Sequence, residues 1–194
     1  MNINEYQNYH ETKAHTSAEF PYNTYLCSIP LDFPGVPLHW HDELELVVIK
    51  RGQGFVSVDF DKRLVHSGDI IIIPPRCLHA IEQDDTFKME YENIIFKPDL
   101  LSSGANDLCM IQYIVPLLDG SLPIEYFLTP ALGSFEALSN CIRQIDLVCA
   151  DQTPGWQLAV KSSLFNFFFL LISECQKNTV STSSNSNSLE KMKT

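Results

Sequence analysis

The sequence predicts a mainly β protein: one closed antiparallel β-barrel followed by a C-terminal α-helical hairpin. Three observations lead there. Between residues 20 and 97, short β-branched and apolar runs alternate with turn residues, as in successive hairpins. Strands this short and closely spaced favour a sandwich or barrel, and closure removes exposed strand edges. Beyond Lys97-Pro98 the apolar residues recur at three and four, the period of a helix. The chain has 194 residues, 45% of them apolar, enough to give one domain of common size a sizeable core.

Residues 1–19 are polar and lack a clear period, so an irregular arm is expected, with His10 and His15 at its surface. Tyr22 to Ile29 is aromatic and β-branched and reads as the first strand. Pro30, Pro34, Gly35 and Pro37 then break regular structure. Further strands are expected at 38–50, 53–60, 62–66, 69–73, 78–83 and 87–97. Turns fall at Gly52-Gln53-Gly54, Asp59-Phe60-Asp61, Ser67-Gly68 and Asp84-Asp85.

Residues 98–176 are expected as a helical connector and dimerisation hairpin. Asp99 to Gly120 reads as short helices, and Pro123 to Pro130 as an apolar segment packing on the barrel. Phe135, Leu138, Ile142, Ile145 and Cys149 give a stripe over 134–150, with Ser134 as a candidate cap. Thr153-Pro154 is a start signal for a second helix over 154–176. Trp156, Val160, Leu164, Phe167 and Leu171 form its heptad-like face, widened by Phe165, Phe168, Phe169 and Ile172. So wide a stripe predicts two partners: the neighbouring helix on one flank and a second subunit on the other. Phe168→Glu is expected to separate the subunits. Residues 177–188 are polar and of low complexity, so 177–194 is expected as a linker.

Charge excludes one function class. Thirteen Lys and Arg face twenty-four Asp and Glu, a net charge of -11, and no basic run occurs. Nucleic acid is polyanionic, so no nucleic-acid binding is expected of this segment alone. The densest apolar patches, Ile70 to Ile73 and Leu164 to Ile172, fall short of the about 20 residues that span a bilayer. The N-terminus lacks the positive start and apolar run of a signal peptide. A cytoplasmic location with no membrane partner is expected. Six cysteines without a Cys-x-x-Cys pair are expected to be reduced and buried.

The chemistry concentrates between His39 and His79. The run His39-Trp40-His41-Asp42-Glu43-Leu44-Glu45, if extended, puts His39, His41, Glu43 and Glu45 on one face and Leu44 on the other. His79 on a later strand adds a third imidazole. Three imidazoles and a carboxylate can hold a first-row transition metal, with Glu43 competing with Glu45 for the carboxylate role. Without metal, the same residues line a pocket for a small polar ligand, with Trp40 as an aromatic wall.

His39-x-His41-x3-Glu45-x6-Gly52 matches the first signature of the cupin superfamily, and Gly68-x5-Pro74-x-Arg76-x2-His79 resembles the second. Phe33, Arg76 and Gln83 depart from the usual glycine, glycine and asparagine, which fits the looser, regulator-type version. Over roughly residues 20 to 175 the chain resembles the sensor half of AraC-type transcription regulators. The resemblance implies a cupin-like double-stranded antiparallel β-barrel that senses a small polar effector, such as a carbohydrate. Its implied ligand-binding residues are His39, Trp40, His41, Glu43, Glu45 and His79. A divalent transition metal (Zn, Ni, Mn or Fe) would sit on His39, His41, Glu45 and His79. It also implies a homodimer through the helix at 154–176, and DNA contact only through a helix-turn-helix domain absent from this chain. The runner-up is a metal-dependent cupin enzyme of the dioxygenase or sugar isomerase type. No further acid–base constellation stands out, so no enzyme activity is expected.

Overall fold

The computed structural model describes residues 2–104 and 107–191, with side chains through Gln176. The chain divides into two compact units: Met1–Ser102 with Tyr126–Leu132, and Ser103–Glu125 with Gly133–Thr194.

The first unit is the cupin-like barrel. Its strands are β1 (Tyr22–Ile29), β2 (Gly35–His39), β3 (Leu44–Val58), β4 (Asp61–His66), β5 (Ile70–Ile73), β6 (His79–Gln83), β7 (Met89–Phe96) and β8 (Phe127–Leu128). All paired strands run antiparallel. One sheet has the order β1-β7-β3-β5-β8; the other joins β2, β6, β3 and β4. Strand β3 belongs to both. Its first half sets Glu45 opposite Ile73 of β5 and Ile95 of β7, and its second half sets Val56 opposite Arg63 of β4 and Ile81 of β6.

This corrects the expected turn at Gly52-Gln53-Gly54. The chain does not reverse there; it bends through a corner and continues as the same strand. The register slips between Ile49 and Arg51, and Gly52 follows with φ of 77°. A Cβ at Gly52 would stand 1.8 Å from the Lys88 carbonyl oxygen, so β7 passes where only glycine leaves room. The real reversal is at Asp59 and Phe60, both with positive φ, which link β3 to β4 as a two-residue hairpin. Inside the barrel, Ile29, Val47, Ile49, Val56, Val58, Ile71, Ile73, Ile81 and Met89 form a buried apolar cluster. Each such side chain contributes about 1.5–3 kcal/mol when buried.

The N-terminal arm is not irregular throughout. It opens with a helix, α1 (Ile3–Gln7), closed by reciprocal hydrogen bonds between Asn2 and Glu5. It then pairs in parallel at His10 with Trp40. The apolar segment after Pro123 joins the barrel as β8, paired to β5.

The second unit contains α2 (Val115–Leu118) and a hairpin of α3 (Phe135–Asp151) and α4 (Trp156–Lys191). Phe135, Leu138, Cys141, Ile142 and Ile145 are buried on α3. Val160, Leu164, Phe167, Phe168, Leu171 and Ile172 are buried on α4. Cys141 joins the expected stripe beside Ile142, whereas Cys149 at its end is only half-buried. The Asn166 amide reaches Cys141 from α4, 3.3 Å from its sulfur.

Several local expectations need correction. Ser134 makes no side-chain cap. Helix α4 begins at Trp156, because Gly155 takes a φ of 87° that a helix cannot use. Phe168, expected at a subunit surface, is only 1% exposed, whereas Phe169 is 64% exposed. Helix α4 runs to Lys191 through the expected linker. A helix satisfies its own backbone hydrogen bonds, so lack of apolar residues does not by itself forbid one. Taken as a whole, Trp156–Gln176 has mean hydropathy 1.4 and is long and apolar enough to cross a membrane. One face of it is buried in the hairpin with α3. All six cysteines are free, but only Cys141 is buried and Cys109 is exposed.

Candidate ligand and metal site

The site is built where β2 ends and β3 begins. His39 is the last residue of β2, opposite His79 at the start of β6. His41 lies in the link before β3, its carbonyl held by the Arg76 amide at 2.7 Å, and Glu45 is the second residue of β3. The strand-parity reading therefore fails: His39, His41 and Glu45 are not on one continuous strand. They converge because the chain turns between them. His41 is 3% exposed, Glu45 2% and His79 1%; His39 stands at the rim, its side chain 16% exposed.

The distances are short. One ring nitrogen from each of His39, His41 and His79 lies within 4.8 Å of the others. Glu45 Oε2 is 3.0 Å from His41 Nε2 and 3.4 Å from His79 Nε2. His39 Nδ1 meets the Pro37 carbonyl at 2.9 Å, and His79 Nδ1 meets the Cys77 carbonyl at 2.9 Å. A carbonyl only accepts, so both Nδ1 atoms donate, and in the neutral rings each Nε2 keeps its lone pair. Such backbone-held imidazoles are what metal ligation uses. His79 Nε2 is buried without a hydrogen bond of ordinary geometry. Four-coordinate zinc with bonds of about 2.0–2.1 Å sets its ligand atoms about 3.4 Å apart, so a small contraction would close the triad on an ion. The three imidazoles are a donor set that could hold a divalent transition metal, and Glu45 lies beside two of them.

Electrostatics follow from burial and proximity. Burial pushes the Glu45 carboxyl upward, but its contacts with His41 and His79 outweigh this and hold it below the usual carboxylate range. Burial lowers His41, yet the Glu45 hydrogen bond and the charges of Glu45, Glu43 and Glu11 leave it more basic than usual. Burial and the neighbouring His79 make His39 less basic. One proton can therefore sit between His41 and Glu45 while His39 stays neutral.

Two expected site residues lie elsewhere. The ring of Trp40 turns toward the arm: it stacks on Tyr6 at 4.8 Å and His10 at 4.1 Å, and its indole nitrogen donates to the Tyr6 carbonyl. Glu43 is buried beside the other face of His41, 3.7 Å from its Nδ1, and is not among the residues lining the cavity. The sequence reading missed Glu11 and His15. His15 is buried, not at the surface, its Nε2 2.9 Å from Glu11 Oε2, and that oxygen is 3.4 Å from His39 Nε2. Burial raises the Glu11 carboxyl, and the His15 hydrogen bond with the nearby imidazoles brings it below its ordinary value.

Together these groups line a cavity of about 320 Å³. Phe33, Val36, Ile81 and Ile95 supply apolar wall; Tyr25, Cys27, Tyr91 and Asn93 supply polar groups. A few polar groups converging in an apolar-walled hollow are typical of small-molecule sites.

A family model of the AraC-like ligand binding domain matches residues 25–168. An uncharacterized HTH-type transcriptional regulator of Bacillus subtilis, YdeC, is 32% identical over 159 residues, covering 81% of this chain and 54% of that protein. A second from the same organism, YbfI, is 26% identical over 72 residues, covering 37% of this chain and 26% of that one. The chain thus spans about half the length of the first relative and about a quarter of the second. Similar solved structures include a cupin protein from Bacteroides fragilis, 24% identical with TM-score 0.39 over 45% of this chain and 80% of that chain. A cupin barrel protein from Salinispora arenicola is 22% identical with TM-score 0.36, over 40% and 65%. With three quarters of its length matched by that domain, the chain belongs to the family of AraC-like ligand-binding domains.

Proposed function

We propose that this chain is the effector-sensing part of a cytoplasmic transcription regulator, taking a small polar molecule into the barrel cavity. The observation that carries the proposal is the convergence of His39, His41, His79 and Glu45 inside that cavity. Tyr91 and Asn93 line it too; the Tyr91 hydroxyl meets the Cys27 thiol, and Asn93 Oδ1 is buried without a hydrogen-bond partner among the described residues. Buried polar groups are normally paired, so the Asn93 carbonyl favours a ligand with a donor, such as a hydroxyl-rich molecule. A divalent transition metal on the triad and Glu45 would supply a Lewis-acid point for an effector oxygen. The apolar wall would exclude water, and Tyr91 and Asn93 would orient the effector.

DNA contact in this proposal belongs to a helix-turn-helix domain outside these 194 residues, and two chains associate through α4. The test is mass spectrometry of the metals and small molecules carried by the purified chain, followed by calorimetry with the compound found. A polar metabolite whose binding is lost in Asn93→Ala supports the proposal. Binding unchanged in Asn93→Ala and in Glu45→Gln would place the ligand elsewhere and sink it. The histidine triad also suits a cupin enzyme, and turnover of the bound compound after adding Fe(II) or Mn(II) would favour that reading instead.

A further inference from the structure

We infer that Glu11, delivered by the N-terminal arm, is a ligand of the cation at the histidine centre, so that a filled centre fastens the arm to the barrel. This rests on the metal reading proposed above and adds a residue that the cupin signatures do not contain.

Backbone pairing puts Glu11 there. The Trp40 amide donates to the Tyr9 carbonyl at 3.0 Å, and the Glu11 amide donates to the Trp40 carbonyl at 2.9 Å. The arm therefore runs alongside the segment that carries His39 and His41. The stacking of Trp40 between Tyr6 and His10 fixes that alignment. Glu11 then faces the cavity that it helps to line.

The atoms that meet there call for a cation. His39 Nδ1 donates to Pro37, so the neutral ring offers a lone pair at Nε2. That lone pair faces the Glu11 carboxylate at 3.4 Å. Two acceptors this close repel unless a proton or a metal lies between them. His79 Nε2 faces Glu45 in the same way, also at 3.4 Å. Neighbouring ligands on a six-coordinate ion with bonds of about 2.1 Å are about 3.0 Å apart, so each carboxylate–imidazole pair has a spacing close to that of two ligands on an ion. The two carboxylates approach from different imidazoles, Glu45 beside His41 and His79, Glu11 beside His39. Two carboxylates and three neutral imidazoles balance a divalent charge, which a buried site requires.

His15 is a positioning residue here. Its Nε2 holds Glu11 Oε2 at 2.9 Å, and its own carbonyl accepts from the Asn23 amide at 3.0 Å. It turns the carboxylate toward His39 without itself touching the ion.

The experiment titrates Co²⁺ into the 194-residue chain and into Glu11→Gln, Glu11→Ala, His15→Gln and Glu45→Gln. It reads affinity, the visible Co²⁺ spectrum, and the rate of protease cleavage within residues 1–20. Circular dichroism confirms that each variant is folded. Both Glu11 variants are expected to bind Co²⁺ at least about tenfold more weakly, with a changed spectrum and no Co²⁺ protection of the arm. His15→Gln should weaken binding and keep the spectrum. If both Glu11 variants bind with wild-type affinity and spectrum while Glu45→Gln loses binding, the centre stands and this inference falls. If the wild-type chain does not bind Co²⁺, or Glu45→Gln binds it unchanged, the metal reading falls and takes the inference with it.

Discussion

His41 and Glu45 show how two residues set a pH window. His41 is more basic folded than its ordinary 6.5, so its contribution is whole below about pH 6.5 and is lost as pH rises through the higher folded value. Glu45 is more acidic folded than its ordinary 4.5, so its contribution is whole above about pH 4.5 and is lost as pH falls. The two overlap between those values. With metal chelated, Glu45→Gln is expected to lose about 3 kcal/mol near pH 5.5, the scale of breaking a buried ion pair, and less at pH 8. Urea midpoints of the wild type and the variant across pH 5–8 check this; a difference that does not shrink with rising pH would refute the shared proton. The same residues show what sequence can and cannot reveal. The spacing His39-x-His41-x3-Glu45 singled out side chains that do meet in the cavity, whether as metal donors or as a polar lining. It misjudged how they meet, because parity along a strand holds only while the strand continues, and β2 stops at His39. Glu11 and His15 gave no signal, because a polar arm carries no period that tells which of its side chains turn inward.

At the scale of elements, the bend in β3 decides the barrel. One strand serves both sheets only because the chain can change direction at Gly52, whose φ is 77° and whose missing Cβ admits the Lys88 carbonyl. Gly52→Ala combines a disfavoured backbone region with a clash against β7 backbone that no side-chain rotation relieves. It should cost at least about 2 kcal/mol, read as a lower thermal midpoint. Gly104→Ala serves as the control: its φ of 128° is also positive, but nothing lies within 4 Å of its Cβ position. A Gly52→Ala midpoint no lower than the control's would show that the corner has slack. The glycine pair at 52 and 54 was legible as a break in the sequence, and the alternation on either side was legible as strand. Whether a break reverses or merely bends a strand depends on which partners lie alongside, and β6 and β7 come some thirty residues later. Helix ends were harder still. Ser134 and Thr153-Pro154 have the composition of caps, but cap geometry is set by backbone angles such as those of Gly155, which composition does not fix.

At the scale of the whole molecule, α4 carries two apolar faces. Val160, Leu164, Phe167 and Leu171 are buried. Leu158, Phe165 and Phe169 lie seven and four residues apart, close to one line along the helix, and Leu158 is 74% and Phe169 64% exposed. Single exposed apolar residues are ordinary, but an aligned row of them along a helix is a candidate contact surface. Beside the row lies a hollow of about 350 Å³ lined by Tyr113, Ile114, Phe168 and Ile172 with Phe165 and Phe169, into which a side chain of a second copy could fit. A two-fold pairing along this row with its axis along the helices would bring the C-terminal ends of two α4 helices to one place, where attached DNA-binding domains could meet neighbouring half-sites. An effector would then act only through different affinity for different arrangements of the pair. The wide stripe was legible in the sequence, but the choice of Phe168 as its outward member was not. On a helix that is apolar on both sides, period alone does not say which side the first partner takes. The substitution that tests the pairing is therefore Phe169→Glu. It should convert a dimer at micromolar concentration into a monomer with an unchanged far-ultraviolet spectrum, whereas Phe168→Glu should unfold the hairpin. Light scattering that finds the unsubstituted chain monomeric, or Phe169→Glu still dimeric, would remove this surface from the mechanism.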